Sequence, residues 1–130
     1  MKISFLFALF FMATQAQATI LSSATTCRIA NIGTEITIVL DENEEAYLEI
    51  MVDQANITTE DIVTQNYRQE TVDAYGVQVP VAISEYTSAQ GNKVTFFKVT
   101  NTTNGKIQGP LTQGKEVGLY ACRTSVEWDY

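Results

Sequence analysis

Short runs of β-branched and apolar residues, separated by polar turn segments, recur along most of this chain. The runs "TEITIVL" and "AYLEIMV" flank "DENEE", and the runs "VPVAISEYT" and "KVTFFKVT" flank "SAQGN". Runs of this kind bounded by Gly, Asn, Asp and Ser are typical of β-hairpins. "TTCRIAN" predicts an opening strand and "GKEVGLYACRTSVEW" a closing one. The pattern predicts an all-β, mainly antiparallel fold, either a small β-sandwich or a barrel of about seven or eight strands.

The register of the first hairpin follows from its apolar positions, because a one-residue slip would move every side chain to the opposite face. If Asp41 to Glu45 form the loop, every pair on one face is apolar. The predicted pairs are Leu40–Ala46, Ile38–Leu48 and Ile36–Ile50. A four-residue loop would instead set Ile36 against Glu49. We therefore expect a hairpin with a five-residue acidic tip.

The second hairpin follows the same logic. With "SAQGN" as the loop, Ile83 faces Phe97 and Val81 faces Val99. Pro80 lacks a backbone donor, so we expect it near a strand start or on an edge. A third turn is predicted at Asn104-Gly105, since Asn-Gly is the strongest short hairpin signal.

One segment, "ITTEDIVTQNYRQE", carries conflicting signals. Thr58 followed three residues later by Asp61 resembles a capping box, which favours a short helix from Thr59 to Arg68. Ile62, Val63 and Val72 fit a strand equally well. Both interpretations stay open at this stage.

The N-terminal segment "MKISFLFALFFMATQAQA" has the order of a secretory signal peptide: one positive charge, a short apolar run and an A-x-A end. The apolar run, Ile3 to Met12, is shorter than the ~20 residues that a membrane-spanning helix needs. We expect residues 1–18 to be a cleaved signal peptide and residues 19–130 a single β domain that is exported to the periplasm or the extracellular space. Nothing after residue 18 predicts membrane insertion of the mature chain.

The chain has two cysteines, Cys27 and Cys122, which lie 95 residues apart near its two ends. In an oxidising compartment two cysteines tend to pair. Closing a loop of about this length stabilises a fold by up to ~4.7 kcal/mol in the chain-entropy model. We therefore predict a disulfide that ties the first strand to the last.

Charge is strongly acidic and uneven. The whole chain carries −7, and loss of Lys2 would leave −8. Such a protein should repel nucleic acids and anionic lipids. The acidic residues concentrate between Glu35 and Asp73, and the tip "DENEE" is the densest part. We predict that Asp41, Glu42, Glu44 and Glu45 form part of a surface for a cationic partner; the alternative is a solvated hairpin tip. The spacing departs from an EF-hand, which leaves only a looser calcium site open.

Candidate chemistry is sparse. The chain has no histidine, so His-based catalysis is absent, and a disulfide would consume both thiols. There is no G-x-S-x-G, S-x-x-K or Gly-rich phosphate loop. We therefore expect no enzyme activity, no catalytic residues, no cofactor and no metal site. A small carboxylate-dependent hydrolase is the weaker alternative.

Three short patterns add little. "EVGLYAC" is similar to the D-x-G-x-Y-x-C pattern of immunoglobulin variable-type domains, but the cysteine spacing and the position of Trp128 depart from that family, so no family is assigned. The terminal aromatics Trp128 and Tyr130 resemble the last strand of an outer-membrane barrel, a further weak alternative. Asn56 and Asn101 each begin an Asn-x-Thr sequence, which has meaning only in a eukaryotic secretory pathway.

Two function classes lead. The first is a small exported binding or inhibitory module that presents the acidic loop to a cationic protein or peptide. The second is a structural component of the cell envelope that assembles through edge-strand pairing.

Overall fold

Eight antiparallel β-strands close into a barrel in which each strand pairs with its neighbours in sequence and β8 pairs back with β1. The structure, a computed structural model, describes residues 19–30, 32, 34–43, 45–53 and 56–129. The predicted signal peptide, residues 1–18, lies outside them. A short 3-10 helix, Pro110–Thr112, precedes the last strand. The strands are β1 (Thr19–Ile29), β2 (Glu35–Leu40), β3 (Ala46–Asp53), β4 (Asn56–Ala74), β5 (Val77–Ser88), β6 (Lys93–Val99), β7 (Thr102–Gln108) and β8 (Val117–Asp129). The predicted all-β fold is confirmed, in its barrel form.

The first hairpin, β2–β3, has the register that its apolar pattern predicts. All three predicted pairs are present: Leu40–Ala46, Ile38–Leu48 and Ile36–Ile50. In the β5–β6 hairpin Ile83 pairs with Phe97, again as predicted. That ladder ends at Ala82 and Lys98, so the expected Val81–Val99 pair lies just beyond it.

The prediction of a turn at Asn104-Gly105 is wrong, because both residues lie inside β7. The chain turns between β6 and β7 at Thr100 and Asn101 instead, and Thr100 takes a φ of 55°. This earlier turn places Ile107 opposite Val94, and both side chains are fully buried in the core. Gly105 is needed for packing: a Cβ there would lie 2.2 Å from the carbonyl oxygen of Thr95.

The helical alternative for Thr59 to Arg68 is also wrong, because this segment is the middle of the 19-residue strand β4. The start of β4 pairs with β3 as far as Asp61, and from Ile62 onward the strand pairs with β5. A helix would give up both ladders. It would also withdraw Ile62, whose partly buried side chain packs against the core.

The barrel interior is a single apolar core. One face of each strand supplies it, which explains the alternation of apolar and polar residues in the sequence. The ten buried members are Cys27, Ile29, Ile36, Ile38, Leu48, Ile50, Val94, Phe96, Ile107 and Leu119. Near this core, Asn92 ties three segments together, since its side chain donates to Glu60 (3.0 Å) and accepts from the Leu111 N–H (2.9 Å).

The disulfide joins β1 to β8, which confirms the predicted Cys27–Cys122 bridge. The two Cα atoms are 4.1 Å apart. The β1–β8 ladder shifts register between Thr26 and Arg28, opposite Ala121, which has a φ of 54°. The extra residue is typical of a β-bulge. A disulfide of this kind indicates a non-reducing, exported compartment.

Strands β4 and β5 extend well beyond the barrel as a two-stranded ribbon, residues 70–81. β5 pairs with β6 only from Ala82 onward, so the ribbon has no third strand among the described residues. It closes in a two-residue turn, Tyr75-Gly76, whose φ angles are +54° and +82°. Pro80 lies on the free edge of β5 in this ribbon, which fits its prediction as an edge residue.

Candidate functional site

The loop between β2 and β3 is organised by Asp41. One carboxylate oxygen of Asp41 accepts the backbone N–H groups of Asn43 and Glu45, each at 2.9 Å. The N–H of Asp41 in turn donates to the carbonyl oxygen of Glu45 at 2.9 Å. Asp41 therefore has a structural role in shaping the loop. Glu42 is exposed, and Glu44 lies outside the described residues.

Glu45 and its neighbours form a second, more outward group of polar atoms. The Tyr47 hydroxyl donates to Glu45 Oε1 at 2.8 Å. This hydrogen bond and the negative charge of Glu45 raise the pKa of Tyr47, and the charges of Asp41 and Asp61 raise it further. Asp61 belongs to this group because it lies directly opposite Tyr47 in the β3–β4 ladder. The loop thus gains a carboxylate from a different strand.

These residues border an open cavity of about 400 Å³, which we call the acidic groove. Its apolar wall is Ala46, which is buried, and Ile62, which packs against the core. Its polar rim combines two carboxylates, a phenol and an amide. The residues that border the groove are Glu45, Ala46, Tyr47, Asp61, Ile62 and Gln65.

Among the described residues, no basic side chain forms an ion pair with the carboxylates around the acidic groove. None of the salt bridges among the described residues involves Asp41, Glu42, Glu45 or Asp61. The negative charge of these four carboxylates is therefore not neutralised by ion pairs within the part of the chain that the structure describes. Like charges held this close repel one another, although water and salt weaken that repulsion.

The other charged surface, which spans β4 to β8, is arranged differently. Here three carboxylates, Glu70, Glu85 and Glu116, each have a basic partner, and we call these residues and their partners Arg68, Lys93 and Lys106 the paired cluster. Arg68 contacts Glu70 at 2.9 Å and Glu85 at 3.3 Å. The remaining pairs are Lys93–Glu85 at 3.8 Å and Lys106–Glu116 at 3.0 Å. Arg68, Lys93 and Lys106 thus neutralise the carboxylates of this surface, whereas no ion pair of the described residues reaches the acidic groove.

The described part of the chain contains neither a metal-binding cluster nor a membrane-spanning helix. No group of three or more His, Cys, Asp or Glu side chains is placed there to hold a metal ion. The same residues include no helix that is long and apolar enough to cross a bilayer.

Sequence reasoning identified the acidic loop but missed Tyr47 and Asp61. Tyr47 had a usable signal, since residues two apart in a strand face the same side and Glu45 precedes it by two. Asp61 had none, because its segment was equally compatible with a helix. Its register against β3 was therefore not defined.

Comparison with known proteins identifies no relative. No protein-family model, no curated protein and no solved structure matches this chain. The function of this protein must therefore be inferred from the chemistry of its residues.

Proposed function

We propose that this protein is an exported binding or inhibitory module whose acidic groove captures a lysine or arginine side chain of a cationic protein or peptide. One observation carries the proposal. Two carboxylates from different parts of the chain, Glu45 just before β3 and Asp61 on β4, border the same open groove. No basic residue of the described chain forms an ion pair with either.

The groove offers a matching surface both for the apolar stem and for the charged head of a lysine or arginine side chain. The methylene stem of lysine or arginine packs favourably on apolar surface while its charged head stays near water. Here Ile62 and Ala46 offer that apolar wall, and Glu45 and Asp61 stand at the rim. The ring of Tyr47 adds an aromatic face of the kind that attracts cations.

Electrostatics here should act mainly on the rate of association. A single exposed ion pair contributes only about 0–1 kcal/mol, so one captured side chain cannot supply high affinity. A clustered negative potential speeds the encounter with a basic partner, and the effect falls as salt rises. We therefore expect an extended cationic segment that places several basic residues along the acidic surface.

The alternative, a solvated hairpin tip, explains part of the sequence. Asp41 is accounted for by its hydrogen bonds within the loop and needs no partner. The same account does not extend to Asp61, which lies on another strand. Glu45 and Asp61 are therefore the residues whose replacement separates the two interpretations.

The disulfide and the predicted signal peptide bear on where the partner is met. We propose the periplasm or the extracellular space, because a stable bridge persists in such compartments. The partner is then itself an exported cationic protein or peptide.

The proposal is tested with oligolysine as the probe and a double variant, Glu45→Gln with Asp61→Asn. We expect the association rate of the wild type to fall steeply with added salt, and that of the variant to be slower and less dependent on salt. The matched control is Glu116→Gln with Glu127→Gln, which removes the same charge away from the groove. Surface plasmon resonance measures all three. If both double variants lose the same amount of binding, only net charge matters and the groove is not a site.

A second readout reports occupancy of the groove directly. Glu45 raises the pKa of Tyr47 above 10.0, and a bound cation offsets that charge. Oligoarginine is the probe for this measurement, because guanidinium groups stay charged at the pH at which tyrosine titrates. Its binding should therefore lower the pKa of Tyr47 toward its ordinary value, as followed by the ring signals of the individual tyrosines in NMR. Tyr86 is the internal control, since burial raises its pKa and a cation in the groove leaves that burial unchanged. A Tyr47 pKa that stays constant with bound probe would place the probe elsewhere.

A further inference from the structure

The outer edge of β4 is an unpaired strand edge. From Ile62 to Ala74 this strand pairs with β5 on one side. On its other side the ladder with β3 has already ended at Asp61. Within the described residues no strand covers this outer edge. Long exposed edges of this kind present a row of backbone donors and acceptors to any incoming strand.

The two edges of the ribbon differ in how they are protected. The free edge of β5 contains Pro80, and a proline removes a donor and blunts an edge. The β4 edge contains no proline, and its one register irregularity lies at its start, between Ile62 and Thr64. Pro80 therefore disfavours strand pairing at the β5 edge of the ribbon, whereas the β4 edge can still pair with another strand.

The turn fixes which residues of β4 point outward. A two-residue turn is flanked by a hydrogen-bonded pair, here Ala74–Val77, and the pairs alternate from there. Pro80 opposite Thr71 then falls in a non-hydrogen-bonded pair, where its missing N–H would face away from β4. By the same alternation the outward backbone groups of β4 belong to the odd-numbered residues. These residues are Gln65, Tyr67, Gln69, Thr71 and Asp73.

We propose that this edge of β4 pairs with the same edge of a second copy of the chain, antiparallel, across a two-fold axis at Gln69. A two-fold interface needs a surface that is complementary to itself. With the axis at Gln69, Arg68 lies opposite Glu70 of the second copy, and the symmetry repeats that pair. Opposite charges across a strand pair are favourable, and like charges are unfavourable.

Neighbouring registers lack this complementarity. An axis at Arg68 sets arginine against arginine, and an axis at Glu70 sets glutamate against glutamate. The axis at Gln69 also places Tyr67, which is 66% exposed, opposite Thr71 of the second copy. An aromatic residue opposite a β-branched one is a favourable cross-strand pair. The charges and side chains of this edge therefore favour a second copy of the chain as its binding partner.

The evidence for this proposal is separate from that for the acidic groove, although Gln65 both borders the groove and lies on the β4 edge. It depends on the β4 edge, whereas the groove depends on Glu45 and Asp61. Loss of oligolysine binding and loss of self-association are separate measurements on separate variants. Either proposal can fail without the other.

The test is a charge exchange followed by sedimentation over a range of concentrations. The wild type should be a concentration-dependent dimer. Arg68→Glu alone and Glu70→Arg alone each set like charges opposite each other, so each should raise the dissociation constant by about tenfold or more. An equimolar mixture of the two variants should dimerise again, because the all-acidic edge of one meets the all-basic edge of the other.

A third variant separates loss of the interface from a folding defect. Gln69→Pro removes an outward N–H but, like Pro80, leaves the β4–β5 ladder in place, so it should stay folded by circular dichroism and be monomeric. A wild type that is monomeric at its highest soluble concentration overturns the proposal, including the case in which the edge binds a different protein. Dimers that survive in all three variants also overturn it, since the contact then lies elsewhere.

Discussion

The ribbon continues two of the eight barrel strands, β4 and β5, yet the barrel and the ribbon are held together in different ways. In the barrel, inward side chains such as Ile36, Leu48 and Ile107 are completely buried, and the strands form a closed ring. In the ribbon, Val72 and Val77 are 48% and 63% exposed, and the ladder has only two strands. An isolated two-stranded hairpin is marginal in water. The barrel therefore sets the global stability, and the ribbon keeps its shape because it continues strands that the barrel anchors.

This comparison predicts that damage to the barrel costs far more than damage to the ribbon. The largest expected effect is loss of the disulfide, through Cys27→Ala together with Cys122→Ala. Removing a native bridge from a small exported domain costs about 2–5 kcal/mol of unfolding free energy. Urea unfolding of the oxidised wild type and the double variant measures it. A loss below about 1 kcal/mol would mean that the ring of strands closes without help from the bridge.

The second prediction compares the same kind of substitution, an apolar residue to alanine, in the barrel and in the ribbon. Leu48→Ala empties a fully buried position, so it should cost about 2–5 kcal/mol. Val72→Ala in the ribbon removes a half-exposed side chain and should cost less than about 1 kcal/mol. Both are measured by urea unfolding at the same protein concentration. Equal losses would contradict the division into a barrel that carries stability and a ribbon that does not.

The smallest effect is a gain confined to the ribbon. Tyr75 takes a φ of 54° in the closing turn, a conformation that is unfavourable for a bulky residue and easier for asparagine. Tyr75→Asn should therefore stabilise the turn by up to about 1 kcal/mol. Hydrogen exchange should slow at ribbon amides and stay unchanged in β2 and β3. Tyr75→Phe keeps the same backbone cost, so a similar gain in that variant would refute the explanation.

The sequence predicts the barrel better than the ribbon, for a physical reason. β2 and β3 each bury one face, so their alternation defined both the loop and the register. Most of β4 is exposed on both faces, as its burial pattern shows, so it has no alternation to detect. The Asn104-Gly105 signal failed because local turn preference lost to the burial of Ile107 opposite Val94.

The candidate site, like the fold, was predicted from the sequence only in part. The acidic loop is local in sequence and was identified from composition. The groove needs Asp61 opposite Tyr47, a contact between two strands. Such a contact is only predictable when both registers are known, and the register of β4 was not. The charge pairing of Arg68 with Glu70 and Glu85 is likewise a product of the ladder.

The bridge between β1 and β8 has a consequence for the order of assembly. Seven of the eight strand pairings join neighbours in sequence and can form as soon as each hairpin is available. The eighth joins the two ends, and its loop closure is the slow, non-local step. Cys122 lies in the closing strand, β8, 95 residues after Cys27, so it is synthesised after the first seven strands. The disulfide therefore forms after β8 has paired with β1 and closed the barrel. A chain cut short before β8 would leave Cys27 as a free thiol.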